Sequence, residues 1–185
     1  MSTNAPTYTI RRATEQDLAA LIDLRRYAEH WLRDAGIEQW TDHARGAAVI
    51  RTGIQDGTTR AVVDDQGDIV ASLTLAGPDP DFWTDADDPE SALYLYKFMI
   101  GPKGRGTGLG DALLDWASTQ AAQQGKTWLR LDCWRTNLGL QGYYTRRGFE
   151  LLRVVEVTGR NSGALMQRPA TSGNESAITF HDDLA

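Results

Sequence analysis

The sequence is poor in cysteine and contains no long apolar run. Its only cysteine is Cys133, which excludes an internal disulfide framework and leaves no pattern of zinc ligands, so we expect no metal. No apolar run approaches the roughly 20 residues of a membrane-spanning helix. The first residues lack the charged segment and apolar core of a secretory signal. We therefore expect a cytoplasmic protein without a membrane partner.

An excess of positive charge is also missing. The formal net charge is −6 at pH 7, which argues against broad electrostatic capture of nucleic acid. The 185 residues are enough for one domain with a buried core. We expect this domain to span residues 1–170, and the polar, acidic residues 171–185 to form a loose C-terminal tail.

Strand-like and helix-like patterns alternate along the chain. Helical spacing of apolar residues occurs in residues 14–35, 43–54, 108–122 and 138–147. Short β-rich runs occupy residues 8–12, 60–75, 92–100, 127–134, 149–157 and 163–170. Thr14 is a suitable N-cap for the first helix, with Asp17 three residues later. This order predicts an α/β (α+β) fold in which helices flank a mixed sheet.

One stretch, GPKGRGTGLG (Gly101–Gly110), combines glycines and two cations at the start of a helix. The first N–H groups of a helix lack intrahelical partners, and the macrodipole places partial positive charge there. Glycines let a ligand approach this backbone closely, so a phosphate group is the natural ligand. The alternative is a flexible surface loop before an ordinary amphipathic helix.

Two known phosphate-binding motifs are excluded by the sequence of this stretch. A P-loop is excluded because Gly110 is followed by Asp111 and Ala112 rather than by lysine and a hydroxyl residue. The dinucleotide fingerprint G-x-G-x-x-G is absent as well. The stretch Arg105–Gly110 has the pattern R-x-x-G-x-G instead, and it follows the strand-like run ALYLYKFMI (Ala92–Ile100).

Together with a second block, this pattern resembles the GNAT superfamily of acetyl-CoA-dependent N-acetyltransferases. The family's later motif has an asparagine, a tyrosine seven residues on, and then Gly-Phe; here these are Asn137, Tyr144, Gly148 and Phe149. The opening YTIRRATEQDLAALIDL also resembles the family's first strand and helix. The resemblance covers Tyr8–Pro169 and implies a GNAT-like, mostly antiparallel sheet of about six or seven strands flanked by helices.

The resemblance implies acetyl-CoA as the co-substrate. In the family the loop holds the pyrophosphate, and the strand before it bonds the pantetheine arm and polarises the acetyl carbonyl. The implied contact residues are Phe98, Met99, Ile100, Arg105, Gly106, Thr107, Gly108, Leu109, Gly110 and Asn137. Tyr144 maps onto the tyrosine that protonates the departing thiolate, and a phenol pKa of roughly 10 suits that role. Packing is the alternative role of Tyr144, and we interpret its neighbour Tyr143 as a core residue.

The general base is less clearly marked. Some family members carry His or Glu at the positions that Tyr94 and Tyr96 occupy here, and neither phenol is a good base at neutral pH. Asp132 is the best candidate, because an acid inside LRLDCW is costly unless it is hydrogen-bonded or used. A structural hydrogen bond to a loop or to Arg135 explains Asp132 equally well. Glu38, Glu90 or a chain of water molecules could accept the proton instead.

Aromatic and acidic residues occur in the segments that are expected to bind the acceptor amine. The resemblance places the first helix, the loop after it and the central strand on that side, and the residues predicted to bind the acceptor are Trp31, Glu38, Trp40, Tyr94 and Tyr96. Large aromatic side chains are also common core residues, so each has that alternative role. The acidic segment Asp79–Glu90 could cap the site or attract a cationic acceptor, unless it is only solvated. Cys133 has no histidine nearby in sequence and is interpreted as a buried, inert thiol.

The sequence therefore predicts an enzyme that moves an acetyl group from acetyl-CoA to a primary amine of a small molecule by direct attack. One alternative is a protein or peptide N-acetyltransferase, which needs an open groove for its acceptor. A second is a non-catalytic CoA-binding regulatory module, against which the intact Tyr144 argues. Association into a homodimer is left open.

Overall fold

The helices and all strands but the last overlap the segments where the sequence patterns place them. A computed structural model describes residues 6–37, 43–171 and 178–183. The strands are β1 (Thr7–Arg12), β2 (Thr59–Val63), β3 (Ile69–Ala76), β4 (Ala92–Ile100), β5 (Trp128–Trp134), β6 (Glu150–Val154), β7 (Ser162–Pro169) and β8 (Thr179–Asp183). The helices are α1 (Leu18–Asp34), α2 (His43–Gln55), α3 (Leu109–Gln123) and α4 (Leu138–Thr145).

The eight strands found in the described residues form one mixed sheet. Their order across the sheet is β6-β7-β5-β4-β3-β2-β1-β8. The pairs β1–β2, β2–β3, β5–β7 and β6–β7 are antiparallel, whereas β4–β5 and β1–β8 are parallel. The predicted fold class, a mostly antiparallel sheet flanked by helices, is confirmed. The sheet has one strand more than the upper limit of the prediction.

The additional strand corrects the prediction for the C-terminal residues. The sequence predicts a loose tail from residue 171, but Thr179–Asp183 forms the edge strand β8. This strand pairs in parallel with β1, from Thr7 opposite Thr179 to Arg11 opposite Asp183. Most of its side chains are exposed, so the usual alternation of apolar and polar residues is missing from its sequence. The domain boundary drawn at residue 170 stays a prediction.

The chain divides into two compact units. The first contains Met1–Thr74, Lys97–Leu113 and Glu175–Ala185, and the second contains Leu75–Tyr96 and Leu114–Asn174. A buried cluster in the first unit consists of Ala13, Leu21, Ile50, Ile54 and Ala61. A buried cluster in the second unit consists of Phe82, Trp83, Ala92, Tyr94 and Leu165.

The turn before α1 is fixed by a buried carboxylate, as the sequence predicts. Asp17 is 8 % exposed, and its Oδ2 accepts a hydrogen bond of 2.7 Å from the backbone N–H of Thr14. The guanidinium of Arg11 donates two more hydrogen bonds, of 2.7 and 2.8 Å. These donors, with Arg11 the strongest, lower the pKa of Asp17 to about 2.

Asp17→Asn is expected to lower the free energy of unfolding by about 1–3 kcal/mol at pH 7, because the folded state favours the ionised carboxylate. Since folding lowers the pKa of Asp17, this stabilisation is present above the ordinary carboxyl pKa and is lost as the pH falls from about 4 towards 2. Urea unfolding of the wild type and the variant at neutral and acidic pH measures both effects.

The matched control is Asp23→Asn. Asp23 pairs with Arg26 at 3.3 Å on the surface, with side chains 73 % and 63 % exposed, so its loss should change stability by under about 0.5 kcal/mol. Equal losses in the two variants, or a loss at Asp17 that does not shrink in acid, would contradict the assigned role.

Candidate active site

The central strand changes its backbone conformation just before the segment predicted to contact the cofactor. Lys97 lies within β4 and has a φ of 47°, in the left-handed region that residues other than glycine rarely adopt. The next residues are the predicted segment Phe98–Ile100, in which Met99 is buried while its two neighbours are half-buried. The strand is therefore irregular at the position where the family resemblance places the pantetheine contacts.

Two glycines of the following loop are required for close packing. The N–H of Gly101 donates a hydrogen bond of 2.8 Å to the carbonyl of Val70. A Cβ atom on Gly101 would lie 2.8 Å from Leu24 Cδ1, and one on Gly104 would lie 2.8 Å from Leu109 Cδ2. Larger residues at these two positions would clash with Leu24 and Leu109 and shift the backbone of the loop.

Two other glycines are required for conformation. Gly106 and Gly108 have φ angles of 73° and 83°, which side chains disfavour. A Cβ atom at either position would meet nothing within 4 Å, so the space above this backbone is open. The hydroxyl of Thr107 donates to the carbonyl of Gly104 at 2.8 Å and accepts from the N–H of Leu109 at 3.3 Å. The loop thus presents an open, glycine-rich backbone at the first turn of α3, which fits a pyrophosphate group.

The two remaining loop residues differ in exposure. Leu109 is fully buried, so its side chain anchors the start of α3 while its main chain stays in the loop. Gly110 follows it in the first turn and is half-buried. The predicted cofactor contacts at Arg105–Gly110 are therefore brought together in one turn of chain, where main-chain groups can reach a phosphate.

The side chain of Arg105 stacks on aromatic residues of α1. Its guanidinium carbon lies 3.9 Å from the centre of the Trp31 ring and 5.4 Å from that of Tyr27. Trp31 is 46 % exposed. The sequence assigned Trp31 to the acceptor, whereas the structure places it against the loop predicted to bind the cofactor. The other two predicted acceptor residues near α1, Glu38 and Trp40, lie outside the described residues.

Asn137 caps the helix that carries Tyr144. Its Oδ1 accepts a hydrogen bond of 2.9 Å from the N–H of Leu140, in the first turn of α4. Asn137 is 9 % exposed. This capping role accounts for an asparagine at the position, and its predicted contact with the cofactor stays a prediction.

Tyr144 lies in the interior of the second unit. Its ring packs edge-on against Phe149, with ring centres 5.5 Å apart, and against Tyr143 at 5.3 Å. Burial raises the pKa of Tyr144, and the nearby Cys133 adds to the rise. The phenol therefore keeps its proton at neutral pH, as a general acid must. The sequence predicted that Tyr143 is the core residue, but Tyr143 is half-buried under the guanidinium of Arg147 and Tyr144 is the buried one.

Cys133 is a buried thiol next to the candidate base. It is 6 % exposed, and its sulfur lies 4.0 Å from that of Met166. Burial raises the pKa of Cys133 to about 12, so the thiolate is scarcely populated at neutral pH. The structure agrees with the interpretation of Cys133 as an inert thiol rather than a nucleophile.

Asp132 has the electrostatic character of a general base. It is half-buried in β5, and its Oδ1 is buried without a hydrogen-bond partner among the residues that the structure describes. Burial raises the pKa of Asp132, a hydrogen bond with Ser162 partly offsets the rise, and Asp79 adds to it. Arg135, the structural partner considered for Asp132, pairs instead with Glu156 at 2.6 Å.

Glu90, a further candidate base, lies on the surface. Its side chain is 85 % exposed, and its Oε2 is 3.8 Å from Nζ of Lys126. Glu90 is thus exposed to solvent and lies next to a cation, whereas Asp132 is half-buried. The choice of Asp132 over Glu90 as the base stays a prediction.

The two central-strand tyrosines have different surroundings. Tyr94 is fully buried; its hydroxyl donates to the carbonyl of Pro89 at 3.1 Å and accepts from Arg130 at 3.2 Å. Tyr96 is half-buried, and its hydroxyl donates to the carbonyl of Gly77 at 2.9 Å. Burial, with the charges of Asp132 and Asp79, raises the pKa of Tyr96. Tyr94 is thus a core residue, and Tyr96 is the one that shares its electrostatic environment with Asp132.

Arginine side chains hold the acidic loop between β3 and β4 through ion pairs. Arg160 donates to Asp79 at 2.6 Å and to Asp81 at 2.9 Å, and Arg153 makes two hydrogen bonds to Asp87, of 2.7 and 2.8 Å. Two side chains of the loop are also buried in the second unit, Phe82 and Trp83. These three acids are already paired with cations, which argues against the hypothesis that they attract a cationic acceptor.

The sequence analysis did not predict the contacts of Tyr27, Ser162 and Arg160. Tyr27 stands one helical turn before Trp31, and this spacing indicates that the two side chains share a face of α1. Arg160 lies in the turn before β7 and Ser162 is the first residue of β7, and no sequence pattern links them to Asp132 or Asp79.

None of the helices in the described part of the chain has the length and apolar character needed to span a bilayer.

Comparison with known proteins identifies the family. The family model for the acetyltransferase (GNAT) family matches residues 24–149. The uncharacterized N-acetyltransferase YesJ of Bacillus subtilis (strain 168) is 30 % identical over 145 residues, which are 76 % of this chain and 80 % of that protein.

Solved structures show the same fold. A GNAT-family acetyltransferase of Listeria monocytogenes 4b F2365 is 23 % identical, with a TM-score of 0.70 over 88 % of this chain and 94 % of that chain. The PaiA N-acetyltransferase of Thermoplasma acidophilum, solved in complex with coenzyme A, is 18 % identical, with a TM-score of 0.64 over 88 % of this chain and 98 % of that chain. The family resemblance predicted from the two motifs is confirmed, and this chain is an acyltransferase that belongs to the GNAT acetyltransferase family.

Proposed function

We propose that the protein transfers the acetyl group of acetyl-CoA to the primary amine of a small molecule by direct attack of the amine on the thioester. The observation that carries the proposal is the open loop at Gly106 and Gly108, whose backbone conformation and free space suit a pyrophosphate. Membership of an acetyltransferase family supports the choice of the acetyl thioester as donor.

The proposed binding groups for the donor lie in residues 98–110. Main-chain N–H groups of the loop and the charge of Arg105 stabilise the pyrophosphate. The main chain of Phe98–Ile100, after the irregular residue Lys97, bonds the pantetheine arm and polarises the acetyl carbonyl.

Asp132 is the proposed base and Tyr144 the proposed acid. Asp132 takes a proton from the acceptor's ammonium group, and the neutral amine then attacks the acetyl carbonyl. The new N–C bond replaces the C–S bond, and Tyr144 gives its proton to the departing thiolate. The attacking nitrogen releases its second proton to water, which leaves the neutral amide, and water returns a proton to Tyr144. The raised pKa of Asp132 supports its role as a base, and the raised pKa of Tyr144 keeps the phenol protonated at neutral pH.

The ion pairs of the acidic loop favour a small-molecule acceptor over a polypeptide. The loop from Asp79 to Asp87 is held by Arg153 and Arg160 within the second unit, which also contains Asp132. A polypeptide acceptor needs an extended open groove, whereas a small amine needs only a local pocket. The pairing of the loop acids leaves Asp132, with its unpartnered Oδ1, as the acid best able to receive the amine.

A comparison of acceptors tests the proposal. The purified protein is mixed with acetyl-CoA and, in separate reactions, with a panel of small primary amines or with peptide mixtures, and thiol release is recorded. We expect at least one small amine to support release well above the rate of acetyl-CoA hydrolysis. Release with peptides alone would overturn the small-molecule assignment and leave acetyl transfer intact.

Gly108→Val is expected to weaken acetyl-CoA binding at least about tenfold, or 1.4 kcal/mol. The reason is that valine both disfavours the φ of 83° and fills the space above the loop backbone. Isothermal calorimetry measures the change.

Gly125→Val is the matched control, because Gly125 has a φ of 70°, has nothing within 4 Å of a Cβ atom, and follows the other end of α3. It should carry a similar backbone strain and leave binding within about twofold of the wild type. Unchanged affinity in a folded Gly108→Val variant would place the donor site elsewhere.

A further inference from the structure

An aromatic platform on α1 holds the guanidinium of Arg105. Trp31 and Tyr27 lie four residues apart, so both project from the same face of the helix. The guanidinium lies over both rings, at 3.9 Å from the centre of Trp31 and 5.4 Å from that of Tyr27. Trp31 makes the closer contact and is the main element of the platform.

Packing into a core does not explain Trp31. Its side chain is 46 % exposed, among the largest exposures of any apolar residue in the part of the chain that the structure describes. A tryptophan on the surface stabilises little by burial, but its ring face attracts a guanidinium. The contact with Arg105 is therefore the interaction that this exposed ring makes.

Stacking leaves the donors of Arg105 available. The guanidinium meets the ring through its flat face, whereas its N–H groups lie in the plane and point outwards. Its Nε is buried and has no hydrogen-bond partner within the described residues. A long side chain that would otherwise lose rotamer freedom on binding is thus held in one orientation before the anion arrives.

We propose that Trp31 is a positioning residue for the donor: it orients Arg105 towards the pyrophosphate of acetyl-CoA. This inference rests on the proposed function of the Arg105–Gly110 loop. It replaces the acceptor role that the sequence suggested for Trp31. Tyr27 contributes less, because its ring centre is 1.5 Å farther from the guanidinium (5.4 Å against 3.9 Å).

Substitutions of Trp31 separate the ring face from its bulk. Trp31→Leu keeps an apolar side chain but removes the π face, and we expect it to raise the Kd and KM for acetyl-CoA by about 3- to 30-fold. Trp31→Phe restores a ring and should recover most of the affinity. Tyr27→Leu should have a smaller effect than Trp31→Leu. Melting curves show whether each variant is folded.

A truncated donor tells positioning from acceptor binding. Acetyl-pantetheine carries the thioester but lacks the pyrophosphate, so Trp31→Leu should leave its KM within about twofold of the wild type. The KM for the amine should also be unchanged. A rise in the amine KM, or equal rises with both donors, would overturn the proposal and return Trp31 to the acceptor side or to a structural role.

A double-mutant cycle tests whether Trp31 acts through Arg105. In an Arg105→Ala background, Trp31→Leu should cause no further loss of acetyl-CoA affinity. An undiminished loss there would overturn the proposal. These outcomes differ from a failure of the proposed function, in which the wild-type protein itself would not bind acetyl-CoA.

Discussion

Tyr144→Phe is expected to lower the single-turnover rate of acetyl transfer by about 10²–10⁴-fold while the protein stays folded and binds acetyl-CoA. The ring packs edge-on against Phe149 and Tyr143, and phenylalanine preserves both contacts. Only the acidic proton is lost, so the thiolate leaves without a donor. Rapid-quench measurement of the acetylated amine gives the rate, and a melting curve gives the stability.

Tyr143→Phe is the matched control for this prediction. Tyr143 is the preceding residue of the same helix, is half-buried, and lies under the guanidinium of Arg147 at 3.6 Å. Its loss of a hydroxyl should leave the rate near that of the wild type. A stable Tyr144→Phe variant with near wild-type turnover would mean that water supplies the proton and that Tyr144 only packs.

The pKa of Tyr144 adds a condition on the pH profile. Because burial raises this pKa above the ordinary phenol value of about 10, the acid form persists through the neutral and mildly alkaline range. At pH values below about 10, ionisation of Tyr144 should therefore not lower the rate of the wild type.

Asp132→Asn is expected to lower the rate by about 10²–10⁴-fold at neutral pH, with partial recovery above about pH 9, where the amine loses its proton unaided. The amide keeps the size of the side chain but cannot accept the proton. A profile of rate against pH for the two proteins is the measurement. A variant profile that runs parallel to that of the wild type would remove Asp132 from the mechanism.

Ser162→Ala provides a directional control. The hydrogen bond from Ser162 lowers the pKa of Asp132, so its removal should raise that pKa further. Asp132 is a base only when ionised, and the rate falls as the pH drops through its pKa. The acidic limb of the profile should therefore move to higher pH in Ser162→Ala. An unmoved limb would show that another group controls it.

The elements of the fold could be predicted because their signals are local. Apolar spacing placed α1 and α3 within a few residues, and Thr14 with Asp17 marked the first turn before α1. The strand β8 was not predicted from the sequence because it is an exposed edge strand. It is stabilised by main-chain pairing with β1 rather than by an apolar face.

A sequence motif marks only part of the candidate site. In the loop Arg105–Gly110, the positive φ angles of the backbone require glycines, and these are visible in the sequence. Two ion pairs that hold the acidic loop join residues far apart in the sequence. Asp87 and Arg153 are 66 positions apart, and Asp79 and Arg160 are 81 positions apart, so no local pattern predicts these pairs. The same holds for the stacking of Arg105 on Trp31, which depends on where α1 lies.

The transfer itself is tested most directly by a single-turnover reaction with acetyl-CoA labelled in its acetyl group and the most active small amine of the panel. We expect the label to appear on the amine nitrogen in step with an equal release of thiol, with no labelled protein at any time. Label that accumulates on the protein would contradict direct attack. Bound acetyl-CoA from which no small amine receives the label would contradict the proposed reaction.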